Sequence, residues 1–299
     1  MEPDVTILYN VFHEEAIGLP IAIYFYMTGL SAGSFLLSTM AYGFGLQKFK
    51  PLGKTGVVLA TLLLALAPVN LIIDLGQPLR FWHLFPYLNF RSPITWGSFL
   101  LLAYPINCLI YGFFMFKGNL KLTKTFGLVG IPLAISVHGY TGFILALGKA
   151  YALWNTALMP LYFLMSAMVS GIALMVIVVQ IRSWVTREKM NHELAITLGK
   201  MLAYTILIDL FFVLSDVLVL LTADTEARES ALLLLQGEFR PYFVGVELIL
   251  GAFIPAILLL VPRTGRHTPT VIIASVLAMI GVFAMRYVMV IGGQGIHLS

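Results

Sequence analysis

The 299 residues are 60% hydrophobic and 11% charged, with a mean hydropathy of +0.94. A soluble domain carries about 25% charged residues, so this composition excludes a soluble globular protein and leaves an integral membrane one. The formal net charge of +4 is small and all but two of its basic residues, Lys200 and Arg286, fall in connectors, which argues against nucleic acid as a partner, and the single cysteine, Cys108, excludes an internal disulfide or an iron–sulfur cluster ligated by cysteines of this chain alone.

The first 18 residues hold Glu2, Asp4, Glu14 and Glu15 and no lysine or arginine. That is the opposite of a signal-peptide n-region, so no cleaved signal is expected. Apolar runs then sit at about 17–46, 53–74, 94–116, 126–147, 155–182, 195–222, 241–261 and 268–291, each near or above the roughly 20 residues that a helix needs to cross hydrocarbon. None shows strict alternation, so the spans are predicted as helices and not barrel strands. Proline, glycine and charge break them, as in Lys48-Phe49-Lys50-Pro51, Lys117-Gly118-Asn119 and Arg263-Thr264-Gly265-Arg266. The predicted fold is an all-α integral membrane protein of eight transmembrane helices, arranged as two four-helix halves, 1–151 and 152–299.

On span one, Tyr24, Thr28 and Ser31 share a face, and Gly29-Leu-Ser-Ala-Gly33 spaces small residues for close helix approach. Span two carries Asn70, Asp74 and Gln77 on one stripe that rises to its end. The connector that follows, 75–92, is the aromatic-rich one, with Arg80, His83, Arg91, two prolines and several large rings. Span four holds His138, Tyr140 and Thr141. His138 and Tyr140 are two apart and so point about 200° apart on a helix. Later spans hold Asp209 and Asp216, seven apart, then Glu247 and Arg286. A charge at mid-membrane costs about 2.5–3.5 kcal/mol on insertion scales, so these groups are expected to face protein. By depth, Asp216, Glu247 and Arg286 are predicted to form one cluster, either a buried ion-pair network or part of a proton path.

Connector charges set the orientation. Lys48, Lys50, Lys54, Lys117, Lys121, Lys124, Arg182, Arg187, Lys189, Arg263 and Arg266 fall in one set of connectors, and only Arg80, Arg91, Lys149, Arg228 and Arg240 in the other. The lysine-rich set is predicted to be cytoplasmic, which puts both termini and the 75–92 connector on the extracytoplasmic side of a multi-pass cell (inner) membrane protein. Of six histidines only His138 falls mid-span. Paired axial heme ligation is therefore not expected, nor is any metal site.

Four stretches together resemble the NrfD/PsrC-like family of polysulfide-reductase-type membrane subunits. They are Tyr24-Phe-Tyr-Met-Thr-Gly-Leu-Ser-Ala-Gly-Ser34 on span one, Asp74-Leu-Gly-Gln-Pro-Leu-Arg-Phe81 after span two, Ser92-Pro-Ile-Thr-Trp-Gly-Ser98 before span three, and Tyr140-Thr-Gly-Phe143 on span four. The resemblance implies a subunit without heme or metal of its own that binds a quinone or quinol, menaquinone-type or ubiquinone-type, near the outer face. It also implies docking to an iron–sulfur electron-transfer subunit, and through it to a molybdopterin-type or multiheme catalytic subunit. The connector 75–92 would then be both pocket wall and docking platform. Two departures stand out. Gln77 replaces the arginine of the usual Asp-Leu-Gly-Arg-Pro, and Tyr24 stands in a region where some relatives place a histidine.

The chemistry sets its own requirements. Quinone/quinol exchange moves two electrons and two protons, and needs an apolar slot, hydrogen-bond partners for two oxygens, and an acid/base group with a path to water. Tyr24, Thr28, Asn70, Asp74 and Tyr140 are the candidate quinone-binding residues. Asp74, His138 and Tyr140 are the candidates for the proton chemistry. The expected function is a quinone-reactive membrane anchor of a respiratory oxidoreductase complex. The alternative is a secondary transporter using the polar residues of spans six to eight.

Overall fold

A computed structural model describes residues 17–75, 77–86, 88–149, 151–187 and 191–294. The acidic N-terminal stretch to residue 16, with His13, and also Lys189 and His297, lie outside the described residues. Among the described residues no strand forms, and eight helical segments are long and apolar enough to cross a membrane.

The helices are α1 (Leu19–Tyr42), α2 (Lys50–Ile73), α3 (Pro93–Phe116), α4 (Leu120–Ala146), α5 (Met159–Thr186), α6 (His192–Thr222), α7 (Thr225–Leu235), α8 (Ile254–Leu260) and α9 (Thr268–Ile291). Pro241–Phe253, leading into α8, is wound wider than an α-helix, with Ile254 N bonding Ile249 O five residues back. Starts follow local chemistry. Proline stands in the first turn of α1, α2, α3, α5 and α9, where its missing N–H costs nothing. Asn119, Asn191 and Asp224 cap α4, α6 and α7 with their side-chain oxygens. Pro68, Pro105 and Pro132 lie inside α2, α3 and α4, which continue through them.

The segments run up and down, as side-chain bonds at the two ends show. At one end Ile17 N donates to Gln294 Oε1 (3.1 Å) while Gln294 Nε2 donates to Ile17 O (2.7 Å). Gly18 N donates to Asp74 Oδ1 there (3.2 Å), and the Trp154 indole donates to Met289 O (2.5 Å). At the other end Lys48 pairs with Glu193 (2.7 Å), Arg182 reaches Thr55 (3.3 Å) and His192 meets Thr268 (3.1 Å). The start of α1 and the end of α9 therefore lie on the same face, together with Asp74 and the connector after α4.

Helix α1 is the centre. Its most apolar window is 78% buried, against 28% for the span containing α2. Lipid tails give no hydrophobic drive for helix association, so close packing and interhelical hydrogen bonds must supply it. Both are present. A Cβ on Gly33 would lie 2.6 Å from Gly171 Cα, so only glycine permits α1 and α5 to cross this closely. Ser31 Oγ donates to Ala60 O (3.0 Å) and Ser38 Oγ to Gly53 O (2.7 Å), which ties α1 to α2. The largest apolar cluster runs from Ile21 on α1 to Val290 on α9, across the expected division at 151/152.

Candidate functional site

Two polar constellations lie in the bundle, on opposite sides of α4. The first gathers most of the sequence candidates. Tyr140 on α4 lies within electrostatic reach of Tyr24 on α1. Neither phenol has a hydrogen-bond partner among the described residues; Tyr24 is 5% exposed and Tyr140 half-buried. The Tyr140 ring rests on Gly97, in the first turns of α3. A Cβ there would come within 2.1–2.3 Å of three of its atoms, so the glycine of Ser92-Pro-Ile-Thr-Trp-Gly-Ser98 makes the seat for Tyr140.

Span two faces this region as its stripe requires. Asn70 Nδ2 approaches Met27 Sδ on α1 (3.6 Å) and Leu66 O (3.4 Å), both long contacts that leave the amide weakly held. Asp74 Oδ1 accepts from Gly18 N at the start of α1. Thr28 is otherwise engaged: its hydroxyl is 3.0 Å from the carbonyls of both Tyr24 and Phe25, within its own helix. Its single proton is thus already shared, and Ser31 is spent on α2. The connector above exposes Leu79, Phe81, Trp82, Phe85 and Phe90. Trp96 Nε1 donates to Phe90 O (2.9 Å) and Asn89 N to Thr95 Oγ1 (3.4 Å), which fold the connector onto α3, and within the connector Arg91 N donates to Asn89 Oδ1 (3.1 Å).

The second constellation is deeper. His138, about 200° round α4 from Tyr140, points inward and is fully buried. Its Nε2 is 2.8 Å from Phe163 O and 3.1 Å from Arg286 Nη2. Arg286 is fully buried too, and its Nη2 donates to Phe163 O (3.0 Å) and Ser166 Oγ (2.7 Å), with the guanidinium 3.8 Å over the Phe163 ring. Nε2 cannot donate to Phe163 and accept from Arg286 at once, so the imidazole tautomer selects one of these bonds. Tyr162 donates to Glu247, and Asp209 and Glu247 both lie in the field of Arg286. Buried Asp209 Oδ1, Glu247 Oε2, His138 Nδ1 and two guanidinium nitrogens of Arg286 have no hydrogen-bond partner among the described residues. Asp209 and Glu247 line a cavity with about 10 Å³ open to water-sized spheres, close to the minimum for one water molecule.

The expected trio of Asp216, Glu247 and Arg286 is corrected by one member. Asp209 takes the third place, while Asp216, two turns along α6, lies against Thr156. Depth alone could not separate two aspartates seven apart. Tyr162 and Ser166, four apart on α5, were not anticipated; only their spacing on one helical face marked them. His138 belongs with this inner cluster and not beside Tyr140. Among the described residues no group of three or more His, Cys, Asp or Glu side chains is arranged to hold a metal ion.

Residues 10–297 match the family described as polysulphide reductase, NrfD. The chain is 33% identical over 242 residues to a selenate reductase subunit of Mesobacillus selenatarsenatis, covering 68% of this chain and 56% of that one. It is 28% identical over 272 residues to the Hdr-like menaquinol oxidoreductase integral membrane subunit of Archaeoglobus fulgidus, covering 90% of this chain and 68% of that one. Against protein NrfD of Escherichia coli, identity is 25% over 320 residues, covering 95% and 98%. The matched stretch thus spans little more than half of the selenate reductase protein and nearly all of the Escherichia coli protein. With eight candidate spans among the described residues and a family match over almost its whole length, the chain belongs to the polysulphide reductase NrfD family of integral membrane subunits.

Proposed function

We propose that this chain is the quinol-reactive membrane subunit of a multi-subunit oxidoreductase, exchanging electrons between the membrane quinone pool and an iron–sulfur subunit docked on the 75–92 connector. A molybdopterin-type or multiheme subunit would lie beyond that partner. The observation that carries the reading is the pair of unpartnered phenols, Tyr24 and Tyr140, set between α1 and α4 beneath that connector. A quinone ring offers two oxygens, and the hydroxyls of a buried Tyr24 and a half-buried Tyr140, neither bonded within the described residues, are the groups that would bond them. A bound quinol supplies two electrons and two protons. Asp74, half-buried at the end of α2, is placed to pass protons toward water, and Asn70 offers a loosely held amide beside it. The name of the Archaeoglobus relative favours a menaquinol as the donor or product. The Mesobacillus and Archaeoglobus relatives are named as subunits of a reductase and an oxidoreductase, which speaks against the transporter alternative.

The test is spectroscopic. The chain is purified with the proteins that accompany it, and menaquinol is added without air. The expected result is an iron–sulfur visible band that bleaches with menaquinol, and bleaching that slows about tenfold or more in Asp74→Asn, which keeps shape but cannot carry a proton. A colourless chain that purifies alone, or a band indifferent to quinol, contradicts the proposal.

A further inference from the structure

Lys200 lies inside span six, eight residues past its first, His192, and so about 12 Å along the helix from the lysine-rich end. A cation at such a depth demands a counter-charge or a route to the interface. Among the described residues it has no counter-charge: the one ion pair there is Lys48–Glu193, so the nearest carboxylate on α6 is already taken. Lys200 instead opens into a cleft of ≈ 170 Å³ between α6 and the end of α8, where Arg266 joins it from the following turn. Arg266 is likewise exposed and has no acidic partner among the described residues.

The turn that presents Arg266 is built firmly. Thr264 Oγ1 donates to Leu258 O (2.7 Å) and Gly265 N to Val261 O (2.9 Å). Gly265 is pressed onto α8 so tightly that a Cβ would fall 2.1 Å from Leu259 O. The cleft floor is apolar, formed by Ala203, Leu259 and Leu260, and Tyr204 stands at its side, 61% exposed. Two exposed cations lining one cleft, a phenol and an apolar floor match a phosphodiester joined to an acyl chain. A free phosphate would fill only the charged half.

We infer that the α6–α8 cleft binds the headgroup of an anionic glycerophospholipid from the leaflet at the lysine-rich end, with the phosphate between Lys200 and Arg266 and the chain along Leu259 and Leu260. Basic pockets between spans are suited to such headgroups. The lipid supplies the counter-charge that Lys200 lacks and pins α6 to the end of α8.

The experiment is native mass spectrometry of the detergent-purified protein titrated with phosphatidylglycerol, phosphatidylcholine or inorganic phosphate. One phosphatidylglycerol per chain should bind in preference to phosphatidylcholine, and inorganic phosphate should not displace it. Lys200→Gln and Arg266→Gln should each weaken binding about fivefold and the double variant about thirtyfold, while Lys200→Arg keeps it. Arg266 lies outside the helices, so its variant tests the site even where a change in α6 disturbs folding. Equal retention of the two lipids, or of phosphatidylglycerol by wild type and double variant, overturns the inference. Displacement by inorganic phosphate at matched concentration overturns the lipid assignment in favour of a simple anion site.

Discussion

Arg286 shows how one side chain organises a membrane interior. It donates to the Phe163 carbonyl and the Ser166 hydroxyl, touches His138, and keeps Asp209 and Glu247 in its field. Removing it leaves the buried Phe163 carbonyl and Ser166 hydroxyl without this donor, at about 1–3 kcal/mol for each group stranded, and takes the cation from the field of Asp209 and Glu247. Arg286→Met should therefore lower the thermal unfolding temperature sharply, and Arg286→Lys only in part, because lysine keeps the charge but not the planar fork. Unfolding of detergent-purified variants checks this, and an unchanged Arg286→Met would show that the cluster is held by other groups. At the other site Gly97 positions Tyr140 by leaving room for its ring. Gly97→Ala should push the ring away and lower quinol-linked turnover about tenfold or more while the chain still inserts and folds; turnover equal to wild type would mean that the ring position is immaterial. The sequence made the Tyr24, Asn70 and Asp74 faces legible through helical spacing. It could not reveal that Thr28 and Ser31 are already hydrogen-bonded, nor that Arg286 reaches across to His138, because those bonds depend on which helices touch.

At the scale of elements, the spans were legible because length and apolarity decide them. The run expected at about 195–222 is α6, His192–Thr222, and the one at about 268–291 is α9. The misses have local causes. Helix α4 begins at Leu120 and not near 126, because Asn119 caps it and Lys121 and Lys124 continue it into the interface. Helix α7 lies between the apolar runs that end at 222 and begin at 241, where no helix was expected, and Asp224 caps it by accepting from Ala227 N (3.0 Å). The wide winding of Pro241–Phe253 had no signal in residue pattern. Packing between elements turns on glycines that differ in what surrounds them. Gly33 and Gly171 meet backbone to backbone, whereas Gly139 has open space around its Cβ position. Gly33→Val should separate α1 from α5 and destabilise the bundle by several kcal/mol, while Gly139→Ala should be neutral or add about 0.5–1 kcal/mol. Thermal unfolding of the pair is the check, and equal effects would contradict the close-packing account.

At the scale of the whole molecule, the reciprocal bonds between Ile17 and Gln294 put the start of α1 and the end of α9 on the face that carries Asp74 and the aromatic connector. Connector charge predicts that this face is the outer one, so reporter fusions at Lys121 and Glu226 should read cytoplasmic and external; the reverse would put the proposed partner on the wrong side. The same face carries the docking proposal. Charge reversal at Arg80 or Arg91 should weaken co-purification with an iron–sulfur partner and make it salt-sensitive, while yield of the membrane subunit stays the same. Wild-type retention of partner by both variants would move the docking surface elsewhere. The central claim is that Tyr24 and Tyr140 bind the quinone ring. It is tested most directly by quinol-linked turnover of Tyr140→Phe in the assembled complex, beside turnover driven by an artificial electron donor that bypasses the membrane subunit. The substitution removes one hydroxyl and little volume, and a hydrogen bond lost in a dry pocket is worth about 1–3 kcal/mol. The account predicts a fall of roughly 5- to 150-fold in quinol-linked turnover or affinity with the artificial activity unchanged. Quinol turnover equal to wild type in both Tyr140→Phe and Tyr24→Phe would contradict it.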